Sequence, residues 1–155
     1  MPGKLAKQIK QTKPFQSLEE EAFLNLQRTA DALMQKETIL LESFGVSPAQ
    51  YNVLRILRGA GDTGLPCGEI GNRMITRDPD ITRLADRLEK RGFTTRSRES
   101  TDRRVVTVRI TREGLEMLGL LDKPVSELHR ANLSHLGAAG LKQLIELLER
   151  AREQD

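Results

Sequence analysis

The sequence predicts a mainly α-helical protein carrying one small β wing, and three observations predict it. Apolar residues recur at helical spacing through most of positions 17–152, whereas Val106, Val108 and Ile110 alternate strictly with Thr107 and Arg109 as a strand does. Aromatic residues are only 3% of the 155 positions and Trp is absent, so the core must be aliphatic and mostly helical. Breakers stand where helices would stop or start, at Gly45, Pro48, Gly59, Gly61, Gly64 and Gly92.

The length suits one domain or two small intertwined ones. No apolar run approaches the roughly 18 residues of a membrane span, and the leader MPGKLAKQIKQTK has charges but no signal-like apolar stretch. One cysteine permits no internal disulfide. The expected address is the cytoplasm.

In chain order, Lys4, Lys7, Lys10 and Lys13 precede Pro14. They read as a solvated, partly frayed leader, or alternatively as an arm along a DNA backbone. A long helix follows over 17–43, with Leu18, Ala22, Phe23, Leu26, Ala30, Leu33 and Met34 on one stripe. Ser17 and Glu20 form a capping box, and Glu19 to Glu21 set negative charge in the first turn. Ser47-Pro48 opens the next helix, whose apolar positions are Tyr51, Val53, Leu54 and Leu57.

A short helix over 66–74 places Ile70 and Met74 on one face around Gly71. Glycine there costs about 1 kcal/mol relative to alanine and is tolerable where another helix must approach closely. A turn at 75–77 leads to a helix over 78–91, with Asp78 as N-cap and Pro79 in the first turn. Ile81, Leu84, Ala85 and Leu88 form its apolar face; Thr82, Arg83, Asp86, Arg87 and Lys90 form the other, and Gly92 stops it. The two make a helix-turn-helix. Strands over 93–98 and 106–110 flank RSRESTDRR, whose arginines at 96, 98, 103 and 104 suit phosphates.

After this wing, Thr111 to Gly114 opens a helix with Leu115, Leu118, Leu121, Val125 and Leu128, which Pro124 should kink or divide. A last helix over 138–152 has six apolar positions, Leu141, Leu144, Ile145, Leu147, Leu148 and Ala151. They exceed one stripe, so the helix needs partners on two sides. Dimerisation through the first and last helices supplies them.

Charge supports a nucleic-acid face. Residues 73–112 hold 12 Arg or Lys against 6 Asp or Glu, a net of +6 in a chain whose total is +3. The basic field is local, on a mildly acidic body.

ITRLADRLEKRGF followed by DRRVVTVRIT resembles the MarR family of bacterial transcription regulators, over roughly residues 17–152. The family's wing motif, Asp-x-Arg, then alternating apolar residues and a closing Leu-Thr, is matched by Asp102, Arg104, Val106, Val108, Ile110 and Thr111, with Ile for Leu. The resemblance implies an obligate homodimer on pseudo-palindromic DNA, helix 78–91 in the major groove and the wing in the flanking minor groove. It implies a strand between the second and third of the family's helices. It assigns Arg104 as the wing arginine, Asp102 as the acid bracing the wing, and Thr82 as a base-proximal residue. Asp78-Pro79-Asp80 departs from the family, which has small or hydroxyl residues there. Aspartate can accept from cytosine N4 but repels phosphates.

The candidate DNA contacts are therefore Arg77, Asp80, Thr82, Arg83, Arg87, Arg98, Asp102, Arg103 and Arg104. The alternative for Arg83 and Arg87 is a charged surface paired with Asp80 and Asp86. Cys67, near the start of helix 66–74, reads as a small buried hydrophobe, with a redox switch as the alternative. His129 and His135 lack further ligands at metal spacing. Tyr51 and His129 are candidates for lining an effector crevice, or else for ordinary packing. No cofactor is expected, and nothing resembles a phosphate loop or a nucleophile with its base, so an enzyme is not expected. The expected organisation is a helical dimerisation region, 1–45 and 113–155, around a winged helix-turn-helix domain, 46–112. The function that follows is a ligand-responsive repressor, with a sequence-tolerant DNA coater as the alternative.

Overall fold

The structure, a computed structural model, describes residues 3–77, 80–98 and 101–153. Helices α1 (Lys4–Gln8), α2 (Leu18–Ser43) and α3 (Pro48–Ala60) lead to β1 (Leu65–Pro66), α4 (Cys67–Arg73) and α5 (Ile81–Lys90). Then come β2 (Thr94–Arg98), β3 (Val106–Ile110), α6 (Arg112–Leu133) and α7 (Gly137–Arg152), the last two separated by a 3₁₀ turn at Ser134–Leu136. From α2 onward this is the order that the resemblance implied, including the short strand before α4. The chain divides into two compact units, residues 1–37 and 38–155.

In the first unit part of the leader is ordered where fraying was expected: Lys4–Gln8 is helical and Leu5 is 2% exposed. One apolar residue among the lysines suffices to fix a turn, which Gln11 N–H closes by donating to Ala6 O at 2.9 Å. Half of the Ser17 box forms. Glu20 N–H donates to Ser17 Oγ at 3.1 Å, but the Glu20 carboxylate accepts from Gln16 N–H at 2.6 Å rather than from Ser17.

The second unit holds the aliphatic core. Ser47 caps α3 in a full reciprocal box with Gln50, and Tyr51, Val53, Leu54 and Leu57 turn inward as expected. They meet Ile70 of α4, Leu84, Ala85 and Leu88 of α5, Val108 of β3, and Leu118, Leu121 and Val125 of α6. Each Val, Leu or Ile among them contributes about 1.5–3 kcal/mol on full burial. Pro124 lies inside an unbroken α6 and does not divide it. The buried neighbours Leu121 and Val125 hold both sides of the proline in place, which offsets the lost backbone hydrogen bond.

Among the described residues the sheet has three antiparallel strands in the order β1-β3-β2. Leu65 pairs with Val108, and β2 runs from Thr94 opposite Ile110 to Arg98 opposite Val106. The alternation of β3 does not translate into one buried face, because Val108 and Thr107 are both buried while Val106 and Ile110 are only partly so. As the central strand, β3 is covered on both faces at its middle. Gly64 approaches closely here: a Cβ on it would lie 2.4 Å from Val108 O and 3.1 Å from the Thr107 methyl.

The base of the wing is tied to α6 through Thr111. Its Oγ1 donates to Gly92 O at 2.6 Å and accepts from Gly114 N–H at 3.1 Å, and its own N–H donates to Phe93 O at 3.0 Å. Gly114 is buried, and a Cβ there would lie 2.5 Å from Phe93 O and 2.7 Å from Ile110 Cγ1. Helix α7 is different. None of its residues is buried within the single chain, and Ile145 and Leu147 are about half exposed, at 54% and 52%.

Two stability outcomes follow. Gly114→Ala should lower unfolding free energy by about 1–3 kcal/mol through overpacking against backbone, seen as a lower urea midpoint. Thr94, 1% exposed, has a hydroxyl without a partner among the described residues. Thr94→Val should therefore raise the unfolding free energy by about 1 kcal/mol, seen as a higher urea midpoint at an unchanged m value; a lower midpoint would mean that the hydroxyl is satisfied after all.

Candidate nucleic-acid interface

Helix α5 is capped by Asp80, not Asp78. The Asp80 carboxylate accepts from Arg83 N–H at 2.9 Å while its own backbone is non-helical. The helix thus begins at Ile81 rather than 78, and Asp78 and Pro79 lie outside the described residues. The turn before it is held from α3, since Ile75 N–H donates to Asn52 Oδ1 at 2.8 Å. Ile81 of α5 lies close to Gly71, but a Cβ there would meet Ile81 Cγ1 at 3.4 Å, an ordinary contact, so the approach of the two helices does not depend on glycine. With Leu84, Ala85 and Leu88 in the core, α5 leaves Thr82, Arg83, Arg87 and Lys90 exposed on its other side, and Arg77 is exposed in the turn. Arg91 belongs elsewhere; it donates to Gly45 O and covers the Phe93 ring at 4.8 Å.

In the wing, Asp102 Oδ1 accepts from Arg104 N–H at 2.9 Å and its carbonyl accepts from Val105 N–H at 3.2 Å, so the acid forms the turn that leads into β3. Arg98 reaches across the tip, Nη1 donating to Arg103 O at 2.9 Å. The side chains of Arg98, Arg103 and Arg104 are exposed. At the other edge Arg109 donates to Asp62 O at 3.1 Å and to Ser97 Oγ at 2.7 Å.

Arg96 does not join the tip. It turns inward, Nε and Nη2 donating to the Glu89 carboxylate at 3.1 and 3.3 Å, and Nη2 lying 2.5 Å from Asp86 Oδ1. Hydrogen bonding to Glu89 is the main cause of its pKa rising above the usual guanidinium value. Asp86 is accordingly a partner of Arg96, whose guanidinium reaches both acids at once, and this contact stands in place of the alternative surface pair with Arg83 or Arg87. Asn52 and Arg96 were not legible as site-shaping residues. The spacing of Asp86 and Glu89, three apart on one face, was the available signal for the second; Asn52 gave none.

Tyr51 is 6% exposed in the core, with Arg55 over its ring at 5.8 Å, whereas His129 is exposed on α6. An open groove of about 280 Å³ lies in the first unit, lined by Gln8, Asn25, Arg28, Thr29, Ala32 and Leu33. Among the described residues no group of three or more His, Cys, Asp or Glu is placed to hold a metal, and no helix is long and apolar enough to cross a membrane.

Cys67 is half-buried at the first position of α4. Burial pushes its thiol up, against a smaller opposing pull from Arg96, with Asp86 adding to the rise. The helix terminus does not make it a reactive thiolate. Reaction with a disulfide reagent at neutral pH should be much slower in the folded protein than in urea; equal rates would refute the burial account.

Residues 46–106, from the lead into α3 to the first residue of β3, match the MarR family. The crystal structure of a MarR transcription factor from Planctomyces limnophilus is 43% identical in sequence, covers 88% of this chain and 98% of its own, and superposes with a TM-score of 0.69. The transcriptional repressor MdtR of Bacillus subtilis is 38% identical over 94 residues, which span 58% of this chain but only 59% of that protein. The PcaV regulator of Streptomyces coelicolor, solved with its natural ligand, is 26% identical with a TM-score of 0.68, over 79% of this chain and 87% of its own. With the wing motif, the helix-turn-helix and near-complete coverage of a MarR structure all in agreement, the chain belongs to the MarR family of DNA-binding transcriptional regulators.

Proposed function

We propose that the protein is a ligand-responsive repressor that binds a pseudo-palindromic operator as a homodimer, each α5 in a major groove and each wing in the flanking minor groove. The observation that carries this reading is the sorting of charge on α5. Its apolar stripe is in the core, its acids Asp86 and Glu89 are held by Arg96, and Thr82, Arg83, Arg87 and Lys90 are left exposed. Exposed Arg98, Arg103 and Arg104 add positive charge on the wing. Phosphate contacts from Arg77, Arg87, Arg98 and Arg103 would fix register, Thr82 and Arg83 would read base edges, and Arg104 would enter the minor groove, braced by Asp102. Asp80 serves first as the N-cap, and a bond to cytosine would use its remaining acceptor capacity.

Homodimerisation is supported by the uncovered apolar positions of α7 and by exposed Phe23, Leu26, Met34 and Ile39 on α2. On this proposal the segments 1–45 and 113–155 supply the dimer contacts and 46–112 the DNA contacts, although Leu118, Leu121 and Val125 of α6 also complete the winged core. Ligand response takes support from PcaV, solved with its natural ligand. An effector that changed the spacing of the two α5 helices would abolish simultaneous docking, because half-sites lie about 34–36 Å apart. The working location on this proposal is the cytoplasm, and the protein is not an enzyme.

Selection from a random duplex pool at about 150 mM salt, followed by sequencing, tests the reading. An inverted repeat with half-sites about 10 base pairs apart is expected; tight retention without any motif would replace the repressor by a sequence-tolerant coater. On the recovered site, Arg83→Ala should cost about 1–3 kcal/mol and relax one base position, Arg104→Ala should weaken binding through the lost minor-groove contact, and Arg103→Ala should lower the salt slope by about one.

A further inference from the structure

Two acids on α5 and one arginine on β2 form a contact that neither the cap nor the core requires. Arg96 sits in β2 opposite Val108, the buried middle of the central strand, so its backbone is among the best anchored in the wing. Its side chain is 27% exposed, against 45% for Asp86 and 40% for Glu89. The two carboxylates lie almost one turn apart on the same side of the helix. A single bond would fix only a distance. Two bonds from one planar guanidinium also fix rotation of α5 about its own axis. That rotation matters, because at a side-chain radius of about 5–6 Å a turn of roughly 20° moves a tip by about 2 Å. Such a shift is enough to break a base-edge hydrogen bond.

We propose that Arg96 is a positioning residue that sets the rotation of α5 relative to the wing, so that both elements reach DNA in one register. The proposal rests on the reading of α5 and the wing as the DNA-binding elements. Arg96 touches no DNA itself. It acts through Asp86 and Glu89, and by holding them it also keeps two negative charges from standing alone beside Arg83 and Arg87. Partly exposed ion pairs contribute little to folding stability, so the role should appear in recognition more than in unfolding.

The test compares affinity for the selected site and for a random duplex, across a salt series, in wild type and four variants. Arg96→Met should weaken specific binding about tenfold or more, with a smaller loss on random duplex, an unchanged salt slope and a nearly unchanged urea midpoint. Asp86→Asn/Glu89→Gln removes the same tie from the helix side, and should narrow the specific-to-random ratio in the same way even if Arg96→Met folds poorly. Arg96→Lys keeps the charge but spans one carboxylate only, so it should recover random binding and not specific binding. The neutral triple variant Arg96→Met/Asp86→Asn/Glu89→Gln should remain unspecific.

Restoration of specific binding in the lysine or triple variant would overturn positioning in favour of charge neutralisation. A salt slope lowered by about one in Arg96→Met would overturn it in favour of a direct phosphate contact. Wild-type protein that selects no motif would sink the DNA reading and this inference together, whereas wild-type selection with an unaltered ratio in every variant would sink the inference alone.

Discussion

A helix of ten residues is not stable by itself in water, and α5 exists because Leu84, Ala85 and Leu88 are buried among side chains from α3, α4, β3 and α6. Everything displayed on its other side depends on that burial. A polar helix held by three apolar residues has most of its surface free for charge, and here the charge is divided. The acids face the wing and the bases face out. The division converts a nearly neutral amphipathic helix into a cationic surface without weakening its seat.

The wing is built on a related economy of contacts. Its base is fixed by Thr111, which caps α6 and holds Gly92 and Phe93, and by the approach of Gly114 to the Phe93 carbonyl. Its middle is fixed by the ladder between β2 and β3. Among the described residues its tip is held by local contacts, through Asp102 and the reach of Arg98. A hairpin rigid at the root and polar at the end fits the phosphate contacts proposed for it, where the energy would come from charge and displaced counterions more than from shape.

The helices outside this unit carry the opposite imbalance. In α7 the apolar residues outnumber what a single stripe can bury, and α2 exposes Phe23 and Ile39. Apolar surface of this kind is stable in water only when something covers it. On the proposed reading a second copy of the chain would cover it with two-fold symmetry, and would present the symmetric pair of α5 helices that a palindromic site needs.

Much of the fold was legible in the sequence, because its elements are marked by local signals: the periodicity of Tyr51 to Leu57, the Ser47-Pro48 cap, the alternation before Thr111 and the Asp-x-Arg of the wing. The charge of residues 73–112 pointed to nucleic acid for the same reason, since net charge is additive along a chain. The sequence by itself determined the helix order, the winged unit and the location of the basic field. Tertiary structure alone decided which charges are spent inside the protein. Arg96 and Arg104 look alike in sequence, yet the first is bound to Asp86 and Glu89 and the second is exposed. The cap fell to Asp80 in place of Asp78, and Asn52 came to hold a turn 23 residues away. The physical reason is that an ion pair or a single hydrogen bond is specified by distance in space, and sequence separation carries that distance only within one helix or one hairpin.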